Sequence, residues 1–132
     1  MPYFDIAIYS ADWALLLVRI VIGALFLHHG IAKFAMWKMA PSAQMPFSML
    51  SIMKALSIVE TLGALGVLLG IYTAVSALAL AGVMVGALYY KIAVWKKKFS
   101  GDGGWELDLA LLAILLLVAA MGSGVFALNM LS

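Results

Sequence analysis

The chain has 132 residues, 67% of them hydrophobic and only 11% charged, with a mean hydropathy of +1.15. A water-soluble domain of this length has too much surface to cover with so few polar residues, so the composition points to a membrane protein. With no cysteine, the chain has no means of forming disulfides, thiolate nucleophiles, iron–sulfur clusters or dithiol relays, and a net charge of +2 is too small for a nucleic-acid surface.

The first apolar segment runs from about residue 13 to 37 and contains "RIVIGALFLHHGIAKF". It is too long for a cleaved signal peptide, lacks a basic lead-in and carries Arg19, so it is expected to stay as a membrane span. At about 100° per residue, Gly23, Phe26, Gly30 and Lys33 return to within about 40° of Arg19, with His29 about 80° to one side. His28 falls on the opposite face, so the histidines are not expected to pair or to share a metal. No metal site is expected anywhere in the chain.

Next comes "KMAPSAQMP", where Pro41 and Pro46 punctuate a loop. The second apolar segment, about 47–70, carries Glu60 and a glycine series ending in "GVLLG". Gly70 supplies a stop, and a third segment follows at about 72–95, with "GVMVG" from Gly82 to Gly86. Each G-x-x-x-G is expected to be either a contact inside the bundle or a face for a second copy. The methionines read as packing filler.

"KKKFSGDGG" leads into a fourth segment at about 105–128, where Glu106 and Asp108 suit a helix N-terminus. Glu106 is the better functional candidate, because residues just beyond it face the bundle. All four tryptophans, Trp13, Trp37, Trp95 and Trp105, fall at segment ends, the depth an amphipathic ring prefers. Each segment is long enough to cross the hydrocarbon and none alternates like a barrel strand. The expected fold is therefore all-α, a single four-helix transmembrane bundle spanning residues 1–132.

Lysines flank the first and third loops, whereas Asp5 and Asp12 mark the other side. The positive-inside rule then makes loops 38–46 and 96–104 cytoplasmic and both termini external, in a plasma (inner) membrane. Lys96, Lys97 and Lys98 form a cluster suited to anionic lipids.

A charge deep in a span costs several kcal/mol unless paired or hydrated, so each is a candidate site. Counted from the outer ends, Arg19 lies roughly 9 Å deep and Glu60 roughly 15 Å. An Arg19–Glu60 ion pair is the expected solution, serving either to fix helix register or to line a ligand site.

With these residues in place, the chain resembles the DoxX family of small four-helix membrane proteins. The resemblance rests on Arg19, Gly23, Phe26, His29, Gly30 and Lys33 in the first segment and on Glu60, Gly63, Gly70 and Thr73 in "VETLGALGVLLGIYT". It continues through Phe99, Gly103, Gly104, Trp105 and Glu106 in "FSGDGGWELDLALL", and through "GSGVFALN", where Asn129 stands in the place of an acidic residue. Where many members have a histidine near the end of the third helix, "YYKIAVWKKKF" has none.

The resemblance implies a link to quinone-connected respiratory and sulfur oxidation. It makes the chain a small subunit of a membrane redox complex with other membrane subunits, part of an oxidoreductase rather than a stand-alone enzyme. A quinone or quinol head group would then sit near Arg19, His29 and Glu60, with Lys33 and Glu106 as further candidates and no haem or iron–sulfur cluster on this chain. Two other classes stay open. One is a purely structural or assembly subunit. The other is a small proton-coupled transporter, against which stands the permanent charge of Arg19 beside Glu60.

Overall fold

A computed structural model describes the backbone of residues 2–124 and the side chains of residues 10–124. Among these there are four long helices and no strand: α1 (Pro2–Lys33), α2 (Phe47–Leu69), α3 (Thr73–Tyr89) and α4 (Glu106–Met121). A 3₁₀ turn (Phe34–Lys38) prolongs α1, and a π turn (Tyr90–Val94) prolongs α3. The Ser10–Lys38, Phe47–Leu69 and Thr73–Val94 stretches are each long and apolar enough to cross a membrane.

The segment boundaries read from the sequence hold closely for the second and third helices. α1 begins much earlier than expected, at Pro2, where a proline fits the first turn because that turn has no use for its missing N–H. The fourth helix is shorter than expected. It ends at Met121 because Gly122 (φ 73) and Gly124 (φ 71) take backbone conformations open to glycine. Its 16 residues cover about 24 Å at 1.5 Å per residue, less than a full hydrocarbon crossing. Asn129 and the rest of 125–132 lie outside the described residues, as does the side chain of Asp5.

The α2–α3 connection closes as the sequence suggests. Gly70 sits in the left-handed region (φ 71), and the Ile71 N–H bonds the Gly66 carbonyl at 2.9 Å, a Schellman-type stop.

α1 packs along α2 and α3 along α4, with α2 against α3 joining the two pairs and a smaller contact between α1 and α4 closing the ring. The core is Leu15, Ile22 and Phe26 of α1, Ala64 and Val67 of α2, Ala77, Leu80 and Met84 of α3, and Leu111, Leu115 and Val118 of α4. Glycines set the closest approaches. A Cβ on Gly30 would come within 2.8 Å of the Thr61 backbone nitrogen, and one on Gly63 within 2.9 Å of the Leu80 side chain. Gly66 of "GVLLG" meets Ser76 in the same way and is an internal contact. "GVMVG" is different, since a Cβ on Gly82 or Gly86 would meet nothing within 4 Å.

Candidate functional site

Arg19 is almost fully buried, at 1% exposure, and it does not pair with Glu60. Its Nε donates to the Val67 carbonyl at 2.9 Å, one terminal nitrogen to the Leu68 carbonyl at 3.2 Å, and the other to the Ser123 carbonyl at 2.9 Å. The expected Arg19–Glu60 pair is thereby corrected, for a definite physical reason. The last carbonyls of a helix have no partner within it, and they carry the negative end of its dipole. α2 ends at the level of Arg19 and Ser123 lies just beyond the end of α4, so one planar guanidinium serves the last carbonyls of α2 and the turn that follows α4.

Glu60 finds its partner on the same stripe of α1, nearly four turns beyond Arg19. Lys33 Nζ lies 2.7 Å from Glu60 Oε2, and Glu60 is 3% exposed. Lys33 is long enough to reach inward while its stem lies along apolar surface. The objection to a transporter rested on the permanent charge of Arg19 and loses that ground, because Glu60 stands opposite a lysine instead.

A second pair sits near the same end of the bundle. Lys91 Nζ, in the π turn, lies 2.6 Å from Asp108 Oδ2 of α4 and within 3.4 Å of the Gly104 carbonyl. The Lys91–Asp108 approach is an ion pair without hydrogen-bond alignment, leaving the buried Asp108 Oδ2 with no hydrogen bond among the described residues. The acidic residue that faces the bundle is thus Asp108 and not Glu106, which is exposed in the first turn of α4.

Both pairs line one cavity of about 320 Å³. Its charged and ionisable wall is His29, Lys33, Glu60, Lys91 and Asp108; Tyr90 and Trp95 add amphipathic rings, and the remainder is apolar, with Met49, Met53 and Met84 among the lining side chains. The sequence candidates therefore divide. His29, Lys33 and Glu60 meet at the cavity, whereas Arg19 and Glu106 do not line it.

The two histidines are closer than the helical-wheel reading allows. Their ring centroids are 5.9 Å apart in an edge-to-face contact, since neighbouring residues diverge by only about 100° and both rings are exposed. No group of three or more His, Cys, Asp or Glu side chains suited to a metal occurs among the described residues.

At the same end the loops are tied down locally. Trp37 Nε1 donates to Ser57 Oγ at 2.9 Å, and Lys54 Nζ lies 5.8 Å from the Trp37 ring centroid. Phe99 and Trp105 stack edge to face at 4.8 Å, and the Glu106 N–H bonds the Phe99 carbonyl at 2.9 Å. A Cβ on Gly104 would come within 2.7 Å of that carbonyl, so "FSGDGGW" folds as a turn that delivers α4 beside Lys91.

The family model for DoxX matches residues 14–93. The chain belongs to the DoxX family. The match takes in α1 from Ala14, all of α2 and α3 and nearly all of the π turn, so Arg19, His29, Lys33, Glu60 and Lys91 lie inside it and Asp108 beyond it. No curated protein and no solved structure matches this DoxX chain. Its family and its helices make it a small, multi-pass membrane protein.

Proposed function

We propose that this DoxX protein is an integral subunit of a quinone-linked redox assembly, and that its cavity takes the head group of a quinone or quinol. The observation that carries this reading is the convergence of two lysine–carboxylate pairs and His29 on one otherwise apolar cavity. Its volume of about 320 Å³ is at the lower end of small-molecule sites, enough for a ring rather than a large ligand.

The residues fit such a group. Lys33 and Lys91 are donors for ring oxygens, and the Asp108 carboxylate, ion-paired with Lys91, keeps lone pairs with which to accept from a ring hydroxyl. His29, whose ring is exposed at the cavity wall, can donate or accept a hydrogen bond there. A bound quinone supplies two-electron, two-proton chemistry. The chain itself has no cysteine with which to carry electrons onward, so a partner subunit has that role. In this reading Arg19 is a structural residue and binds no ligand. Lys38, Lys96, Lys97 and Lys98 then face the cytoplasm at the plasma membrane and touch anionic lipid.

Extraction of lipids and quinones from gently purified protein tests the reading. Wild type should carry quinone, and His29→Ala, at an exposed ring position, should carry several-fold less while remaining folded. Quinone-free wild-type protein from quinone-rich membranes would sink the proposal.

One observation favours a purely structural subunit instead: Glu60 and Asp108 already have their counter-charges. A double-mutant cycle separates the two. If the pairs only hold the bundle, Lys33→Met with Glu60→Gln should recover the stability that either change alone loses, with no effect on bound quinone. If they serve a ligand, stability recovers and quinone content does not.

A further inference from the structure

We infer that the cavity is reached sideways from the bilayer, through a cleft between the inner halves of α2 and α3, and that its natural occupant is a tailed amphiphile. This rests on the reading that the cavity takes a polar head group. In their outer halves the two helices are in close contact, with Gly63 against Leu80 and Gly66 against Ser76. Further in they part. Ile52, Met53 and Leu56 of α2 and Gly82, Val83 and Gly86 of α3 line the cavity.

Two glycines keep that parting open. Beside Gly82 and Gly86 there is no atom within 4 Å of where a Cβ would stand, although both residues border the cavity. Gly82 and Ile52 are also exposed, and at this level of a span the exposed surface faces hydrocarbon. The mouth is therefore apolar, while the Lys33–Glu60 and Lys91–Asp108 pairs supply the charge. A small water-soluble solute gains nothing from an apolar mouth in the bilayer. A molecule with a polar ring or head and a hydrocarbon tail matches both ends, its head among the ion pairs and its tail leaving between Ile52 and Gly82.

The experiment compares decylubiquinone with its tail-less dimethoxy-methyl-benzoquinone counterpart, binding to wild type, Gly82→Leu and Gly86→Leu in nanodiscs. Both leucines have room, so helicity and the melting temperature should stay at wild-type values. The expected result is that each variant loses decylubiquinone affinity at least tenfold more than it loses affinity for the tail-less ring. Unchanged decylubiquinone binding in both variants, or equal loss of both ligands, would overturn the lateral route while leaving the head-group site standing. Wild type binding neither ligand would instead remove the site reading and the route with it.

Discussion

The two ends of the bundle handle buried charge in opposite ways. At the end that carries the α2–α3 turn, Arg19 is held by three backbone carbonyls, from Val67, Leu68 and Ser123. At the opposite end two lysines face carboxylates across side chains that can rotate, around a cavity. Backbone carbonyls at a helix end cannot move without unwinding the helix, so the guanidinium is locked and has a structural task. A side-chain ion pair beside open space can open and re-form. The same residue class thus reads as scaffold at one end and as a site at the other, and what separates the two is the partner.

The largest effect that would test this contrast is at Arg19. Arg19→Met leaves the carbonyls it serves without a donor in a medium that offers no water, and should cost about 1–3 kcal/mol for each carbonyl that finds no other partner. Arg19→Lys should recover little, because an ammonium lacks the planar fork that reaches carbonyls on two helix ends. Unfolding in mixed micelles measures both. Near wild-type stability for Arg19→Met would mean that the Arg19 end is no more fixed than the cavity end.

A smaller effect separates the glycines of the two regions. Gly30→Ala puts a methyl group against the Thr61 backbone nitrogen, where no flexible side chain can give way, and should cost about 1–3 kcal/mol through displacement of α1 from α2. Gly86→Ala meets open space and should be neutral or stabilising by up to about 1 kcal/mol, as expected for alanine over glycine within a helix. Thermal melts of the two single variants decide it. Equal losses would mean that the α2–α3 parting is filled in the membrane.

Much of this was legible in the residues, and the failures have a common cause. Spans could be read because a membrane demands long apolar runs; Trp37, Trp95 and Trp105 stand at helix ends as expected, whereas Trp13 lies inside α1. Arg19 stood out as buried charge, but its partners are carbonyls, which every residue has and no sequence displays. The available signal was indirect: Gly70 and Gly122, each just beyond an apolar run, mark two helix ends on the side of the membrane where Arg19 lies. Glu60 was matched to the nearer cation by depth, although Lys33 lies on the same stripe as Arg19 and has the length to reach. Asp108 could have been found by helical spacing, since it shares a face with Leu111, Leu115 and Val118, which are all buried. The cavity itself had no sequence signal beyond the open "GVMVG", because the same pattern serves equally for close packing.

The smallest predicted effect tests the edge of the site within a single helical turn. Glu106 and Asp108 are two residues apart at the start of α4, yet Glu106 is exposed while Asp108 lies against Lys91. Near the N-terminus of a helix a carboxylate gains about 0.3–1 kcal/mol from the helix dipole when exposed. Glu106→Gln should therefore lower stability by no more than that and leave quinone binding unchanged. Asp108→Asn keeps the shape and removes the charge opposite Lys91, so it should weaken binding several-fold with the same assay. If Glu106→Gln weakens binding as much as Asp108→Asn, the polar wall extends beyond the Lys91–Asp108 pair to the membrane surface. The cavity end would then be an open basin rather than a bounded site.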